Sequence, residues 1–418
     1  MDNLENFTLL ASFLDPHTAK TEIDSTLREV SPTHWTALSD LAYQQGVSSR
    51  FYQTLNIHGF PQNFPEDLRS SLREAYLRNA LRNMLILRHA GLLLENLKDR
   101  QVQTIALKGI YLAENINRSI AERNFGDIDL LVKRADLPKA IASAQVCGFK
   151  PSTYFDPADQ DIDIKHVPAM FNAEGLPLEI HWTLLEEDEP FSIDTTELWR
   201  RAVPAKVAGV DVFALSPEDF AAHLCLHFTY QHHLSLGLKG LLDVVDVLRH
   251  FQSQFDWERF MMIVSSWQCQ RVIWLTFSLV REFSAFSIPD EVMKALQPAG
   301  HETWAFEQAR TQIVDANSTR AGLTPDLAEF SKADNFFSKL KIGLSRVFLP
   351  KRVIARLYNL HPDSPAILKG YFLRFRDLFR GYSQRVWHPE LHSSNWTDAV
   401  GQEVNRGKLR TWLSEEME

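Results

Sequence analysis

Two aspartates stand one residue apart in the stretch RNFGDIDLLVK, residues 123–133. Ile128, Leu130, Leu131 and Val132 read as a buried strand, and Gly126 permits a tight turn into it. On a strand, Asp127 and Asp129 project from one face. Two carboxylates side by side in an apolar setting repel each other and are costly to bury. A divalent cation removes both penalties, and hard oxygen ligands of this kind suit Mg²⁺. The plainer alternative is a pair that caps a strand at a solvated edge. The glycine turn before the pair and the apolar run after it favour the metal.

Further candidates flank the pair. Ile105-Ala106-Leu107-Lys108-Gly109 reads as a short strand running into a glycine turn, followed by the helical pattern IYLAENINRS. Leu178-Glu179-Ile180-His181-Trp182 alternates as a strand and carries an acid. Taken together, LKG, RNFGDIDLLV and EIHW resemble the uncharacterised nucleotidyltransferase family of the DNA polymerase β-like superfamily, over roughly residues 100–185 and more loosely to about 250. The resemblance implies an α+β fold: a small mixed sheet with helices, set between helical N-terminal and C-terminal regions. It implies Asp127, Asp129 and Glu179 as catalytic metal ligands, with Mg²⁺ or Mn²⁺ as the cofactor and a nucleoside triphosphate as donor. Lys108, Gly109, Arg123 and Gly126 fall on the nucleotide side. In one respect the chain departs from the superfamily, whose Gly-Ser turn is Lys108-Gly109 here, with a longer gap to Asp127. Lys108 could instead pair with Asp127, and Arg123 could simply brace the loop.

The implied activity is transfer of a nucleoside monophosphate to an acceptor hydroxyl or phosphate, with release of pyrophosphate. Two metals about 3.5–4 Å apart would activate the attacking oxygen and neutralise the leaving one. The acceptor class stays open among RNA, protein and small molecule. Two other classes of function compete. One is a non-catalytic nucleotide-sensing or partner-binding protein of the same fold, against which the intact set of three acids argues. The other is a metal phosphohydrolase centred on His223, His227 and Asp243, since His223 and His227 lie one turn apart on a helix. That set lacks the glutamate of HExxH and the adjacent His-Asp pair of one hydrolase class. Asp161 and Asp163 form a second D-x-D that reads as a solvated strand start. His166 and His181 fall on the same predicted hairpin and could line the cleft, with His227, Lys239 and Asp243 at its edge.

The elements that must position these residues follow from composition and pattern. With 418 residues, 45% of them apolar, two or three domains are expected. We divide the chain into a helical region 1–98, an α/β core 99–213 and a helical region 214–418. Ser31-Pro32 is a helix start, with serine as cap and proline in the first turn. From Pro65 to Lys98 two apolar stripes recur at helical spacing. Leu68, Leu72 and Tyr76 form one; Leu77, Leu81, Met84, Leu85 and Leu92 form the other. They predict one long helix packed on both sides, or two stacked helices, as a lid with no chemistry of its own. Val102–Leu107 and Asp127–Val132 are predicted strands, Ile110–Asn117 and Asp136–Cys147 helices, and Asp161–Phe171 with Leu176–Leu184 a hairpin. Ser216-Pro217-Glu218-Asp219 opens another helix.

Three scattered cysteines with no CxxC pair point to a reducing compartment and away from structural zinc. The N-terminal stretch is acidic where a signal peptide is basic, and no apolar run approaches about 18 residues, so a cytoplasmic location is expected. The net charge of −9 is segregated. Phe336 to Arg385 holds eleven Lys and Arg against two acids, leaving the remainder at −18. Within that basic segment, taken as residues 336–387, Phe372, Phe375 and Phe379 share a helical stripe. It can pack on the acidic remainder, contact RNA, or lie on a membrane surface.

Overall fold

The computed structural model describes residues 3–15, 30–153, 164–300, 302–315, 347–358, 360–361, 363–386 and 394–415. Among the described residues, four helices lead into the sheet: α1 (Asn3–Leu14), α2 (Pro32–Gln44), α3 (Ser48–His58) and α4 (Glu66–Asp99). As expected, Ser31 Oγ accepts from the His34 amide and Pro32 occupies the first turn of α2. Helix α4 has 34 residues, so it is about 51 Å long. Its covered face carries Leu72, Asn79, Asn83, Ile86, Ala90, Leu94 and Leu97. The stripe of Leu77, Leu81, Met84, Leu85 and Leu92 faces outward, 40–68% exposed. Among the described residues, only one of the two predicted faces is packed against other elements. Periodicity sorts side chains onto faces; it does not say which faces have a layer to cover them.

The sheet has seven strands in the order β3-β4-β5-β2-β1-β7-β6. They are β1 (Thr104–Ala106), β2 (Ile128–Val132), β3 (Lys150–Pro151), β4 (Met170–Phe171), β5 (Pro177–His181), β6 (Val203–Val207) and β7 (Val210–Ala214). The fold is α+β, as expected, with a wider sheet. The added width comes from the β6–β7 hairpin, an element not expected from the sequence, which pairs in parallel with β1 through Ile105 and Phe213. Its turn is Ala208-Gly209, both with positive φ (49° and 80°), the geometry of a two-residue hairpin. The expected hairpin around residues 172–175 is present but short. Asn172 Oδ1 accepts from the Glu174 and Leu176 amides, and Gly175 has φ 76°. Asp161 and Asp163 lie outside the described residues.

Two parallel pairs and an antiparallel one fix the centre. Strand β2 runs antiparallel to β1, with Ile105 opposite Leu131. It runs parallel to β5, with Asp129 opposite Glu179 and Leu131 opposite His181. All five residues of β2 are buried, as expected of a strand flanked by two others and covered by helices.

After the sheet come α8 (Pro217–Cys225), with a π-helical continuation over Leu226–Gln231, and then α9 (Gly237–His250), α10 (Trp257–Trp267), α11 (Gln270–Phe283), α12 (Asp290–Leu296) and α13 (Glu302–Val314). (Numbers α5, α6 and α7 belong to Lys108–Tyr111, Leu137–Val146 and Thr195–Arg201.) Ser216 caps α8 by accepting from the Asp219 amide. Phe260, Trp267, Trp274, Phe277 and Phe283 are buried, and one contiguous core runs from Phe7 to Leu413.

Helices α14 (Lys351–Leu357) and α15 (Ile367–Val386) share a separate small core of Ile354, Ala355 and Ile367. On α15 the side chains of Leu368, Phe372, Phe375 and Phe379 are 54–73% exposed. Residues 336–346 of the basic segment lie outside the described residues. Helix α16 (Ser394–Ser414) returns to the main core through Leu409, Trp412 and Leu413. No helix among the described residues is long and apolar enough to cross a membrane.

Candidate active site

The site begins where β1 ends. Leu107 leaves the strand and its amide donates to the Asp129 carbonyl at 3.1 Å, which fixes the turn against β2. Lys108 then enters α5 with φ 39°, a region that costs a non-glycine residue of order 1–3 kcal/mol. Here a strained backbone stands at a chemically charged position. A Cβ on Gly109 would approach Phe125 to 3.0 Å, so glycine lets the turn sit directly against the loop that carries the acids. Lys108 is 8% exposed, and its Nζ lies 3.5 Å from Asp129 Oδ2.

That loop is held from both sides. From α4, Asn79 Nδ2 donates to the carbonyls of Ala121 (2.8 Å) and Arg123 (3.1 Å). Asn83 Nδ2 donates to Ile120 and, at 2.8 Å, to Arg123. From α9, Asp243 takes Arg123 in a two-pronged pair, 2.8 Å on each prong. Lys239 Nζ reaches the Asn124 carbonyl at 3.5 Å. Gly126 lies under Arg82, whose Nη2 would be 3.0 Å from a Cβ there. The long helix, expected to be an inert lid, is therefore a clamp on the loop that leads to the acids. Two asparagines four residues apart inside an otherwise apolar buried face were the available signal, since buried amides need partners.

The acids then emerge as the strand pattern requires. Asp129 is buried as the second residue of β2, and Asp127, half-buried, precedes the strand on the same side. Glu179 is opposite Asp129 on β5. His181, one step further on the same face of β5, places Nε2 3.1 Å from Asp129 Oδ1 and 3.3 Å from Glu179 Oε2. Ligand atoms of Asp129, Glu179 and His181 all lie within 4.8 Å of one another. His166 bridges to His181 at the edge of β5 and sets its Nε2 3.8 Å from Glu179 Oε2.

The electrostatics divide the carboxylates. Burial pushes Asp127 upward, and the neighbouring Asp129 charge adds to it. Burial also opposes ionisation of Asp129, but the Lys108 ammonium and the His181 hydrogen bond outweigh it and hold Asp129 well below the usual range. The hydrogen bond with His181 lowers Glu179. Burial, with Lys108 nearby, pushes His223 and His227 well down, so both rings are neutral at pH 7. Burial lowers Lys165 too, again with Lys108 contributing. That lysine, not among the expected site residues, adds a second cation near Glu179.

The structure thus brings together Lys108, Asp127, Asp129, Glu179 and His181, with Arg123 close enough to act on both aspartates. It does not assemble His223, His227 and Asp243. Both oxygens of Asp243 hold Arg123, and His227 Nδ1 faces Gln231 Oε1 at 3.3 Å. The only group among the described residues with metal-ligand spacing is Asp129, Glu179 and His181. Lys108 pairs with Asp129, not with Asp127, and Arg123 braces the loop. The donor chemistry fits a hard divalent cation: carboxylate oxygens converge on one face beside a turn that carries a cation.

Residues 31–285 match a family described as uncharacterised nucleotidyltransferase. No curated protein and no solved structure matches the chain.

Proposed function

This chain belongs to the uncharacterised nucleotidyltransferase family, and from that premise we propose a metal-dependent enzyme that moves a nucleoside monophosphate from a nucleoside triphosphate to an acceptor hydroxyl or phosphate. The observation that carries the reading is the register of β2 on β5, which sets Asp129 beside Glu179 with Asp127 on the same face. Asp127, Asp129 and Glu179 would hold Mg²⁺ or Mn²⁺. Bound there, the metal supplies Lewis-acid chemistry, activating an attacking oxygen and neutralising charge on departing pyrophosphate.

The chain's own residues do the rest. Lys108, at the start of α5, offers fixed positive charge to a triphosphate, as such sites require. Gly109 keeps the turn close enough to the acid loop for a phosphate to touch both. Asn79, Asn83 and the Arg123–Asp243 pair hold the loop so that the carboxylates need not reorganise during the reaction. Glu179, whose side chain is 28% exposed against 2% for Asp129, would take the proton of the acceptor. Lys239 and His227 edge the cleft. RNA, protein and small molecules remain acceptor classes, and within the basic segment 336–387 the exposed Phe372, Phe375 and Phe379 are where an RNA or a membrane would make contact. A cytoplasmic setting suits the free cysteines Cys147, Cys225 and Cys269.

The phosphohydrolase alternative has no assembled site, because Asp243 is committed to Arg123. The test of the transferase is incorporation of label from α-phosphate-labelled triphosphates, each offered with an acceptor panel. Transfer by the wild type that Asp129→Asn removes supports the reading. Transfer that survives Asp129→Asn contradicts it.

A further inference from the structure

His181 belongs to neither the expected three-acid set nor the surrounding apolar core. Its side chain is 2% exposed, yet its Nδ1 has no hydrogen-bond partner. Its Nε2 points between two carboxylates on adjacent strands. The two separations, 3.1 Å to Asp129 Oδ1 and 3.3 Å to Glu179 Oε2, match those between neighbouring ligands of an octahedral ion. Ligands at about 2.1–2.2 Å from such an ion stand about 3.0–3.1 Å apart along an edge. Glu179 is 28% exposed, which leaves the triad open to solvent on one side.

We propose that His181 Nε2 is itself a ligand of a divalent cation shared with Asp129 and Glu179, so that this position selects a first-row transition ion over Mg²⁺. The inference rests on the transferase reading's metal site and adds a ligand to it. An imidazole nitrogen is a poor partner for Mg²⁺, which takes oxygen, and a good one for transition ions. The ligating tautomer carries its proton on Nδ1, and the three donors arrive from two strands whose pairing fixes their spacing. A histidine serving only as counter-charge would be redundant at Asp129, where Lys108 already stands 3.5 Å from the other oxygen.

The test is Mn²⁺ bound to the full-length, nucleotide-free protein, read by electron spin-echo envelope modulation and by equilibrium titration. The wild type is expected to show an imidazole nitrogen coupling that changes on ¹⁵N-histidine labelling. His166→Gln is expected to keep it, and His181→Gln to lose it. Loss of an outer partner of a ligand already costs about 10–100-fold in affinity, so His181→Gln is expected to weaken Mn²⁺ by about tenfold or more. Mg²⁺, measured by competition, is expected to weaken less. A nitrogen-free Mn²⁺ signal in the wild type, or a coupling that His181→Gln leaves in place, overturns the assignment. If Mn²⁺ then still depends on Asp129, the transferase reading survives that result. Failure of the wild type to bind Mn²⁺ at all sinks both, and because the wild-type spectrum answers alone, misfolding of a variant does not blunt the test.

Discussion

At the scale of single residues, Asp127 and Asp129 share a strand face yet carry opposite shifts, raised and lowered. A carboxyl raised on folding destabilises the folded state above its unfolded pKa, and the penalty grows as pH rises through the folded value. We therefore expect Asp127→Asn to raise the melting temperature of the metal-free protein at pH 7, by a margin that shrinks as pH falls toward 4. Thermal melts across that range in chelator check it, and an unchanged or lower melting temperature at pH 7 contradicts it. Asp129 has the reverse sign: its contacts with Lys108 and His181 stabilise above the unfolded pKa and fade as acid protonates it in the folded state. In catalysis, removing such a charge-stabilising group costs about 100-fold or more, the loss expected for Asp129→Asn in single-turnover transfer. The paired aspartates were legible because two carboxylates at strand spacing beside an apolar run need a shared positive partner. The pairing of Lys108 with Asp129 was not, because it depends on which way a strained turn points its side chain.

Among the elements, α4 shows where pattern ends and packing begins. Its two apolar stripes look equivalent in sequence, but one is covered and one is exposed. Leu94→Ala is expected to cost about 2–5 kcal/mol, whereas Leu81→Gln is expected to stay within about 0.5 kcal/mol of wild type; urea titrations separate the two. The polar positions in the covered face carry the functional information. Asn83→Ala leaves the carbonyls of Ile120 and Arg123 without their buried donor, which costs about 1–3 kcal/mol. It is expected to lower kcat more than metal affinity, because it frees the loop without touching a ligand. The β6–β7 hairpin was also present in the sequence, as alternation either side of Ala208-Gly209, but no chemistry drew notice to it. Its partner β1 lies far upstream, and nothing local announces that pairing.

Across the whole molecule, the N-terminal helices are tied to α9 by buried charge. Arg50 donates to both oxygens of Asp246 and approaches Glu122 to 3.6 Å, while Arg249 pairs with Asp15. Breaking such a pair leaves an uncompensated buried charge and costs about 3–5 kcal/mol. Arg50→Met is expected to lose that much in chemical denaturation, and Arg50→Met/Asp246→Leu to recover most of it. These contacts join residues far apart in the chain, so composition gives their ingredients without their pairing. The regional division of the chain at 98 and 213, which we propose on the pattern of its elements, is crossed by a continuous core from Phe7 to Leu413. Segregated charge was legible; that the aromatic stripe of α15 faces outward was not. On the proposed reading, the acid face of β2 and β5 binds a metal–nucleotide. Isothermal titration of each of the four ribonucleoside triphosphates, with Mg²⁺ and with Mn²⁺, into wild type and Asp127→Ala/Asp129→Ala tests it most directly. We expect heat of binding for at least one nucleotide in the wild type and none for it in the double variant; equal binding by both proteins, or none by the wild type, contradicts the claim.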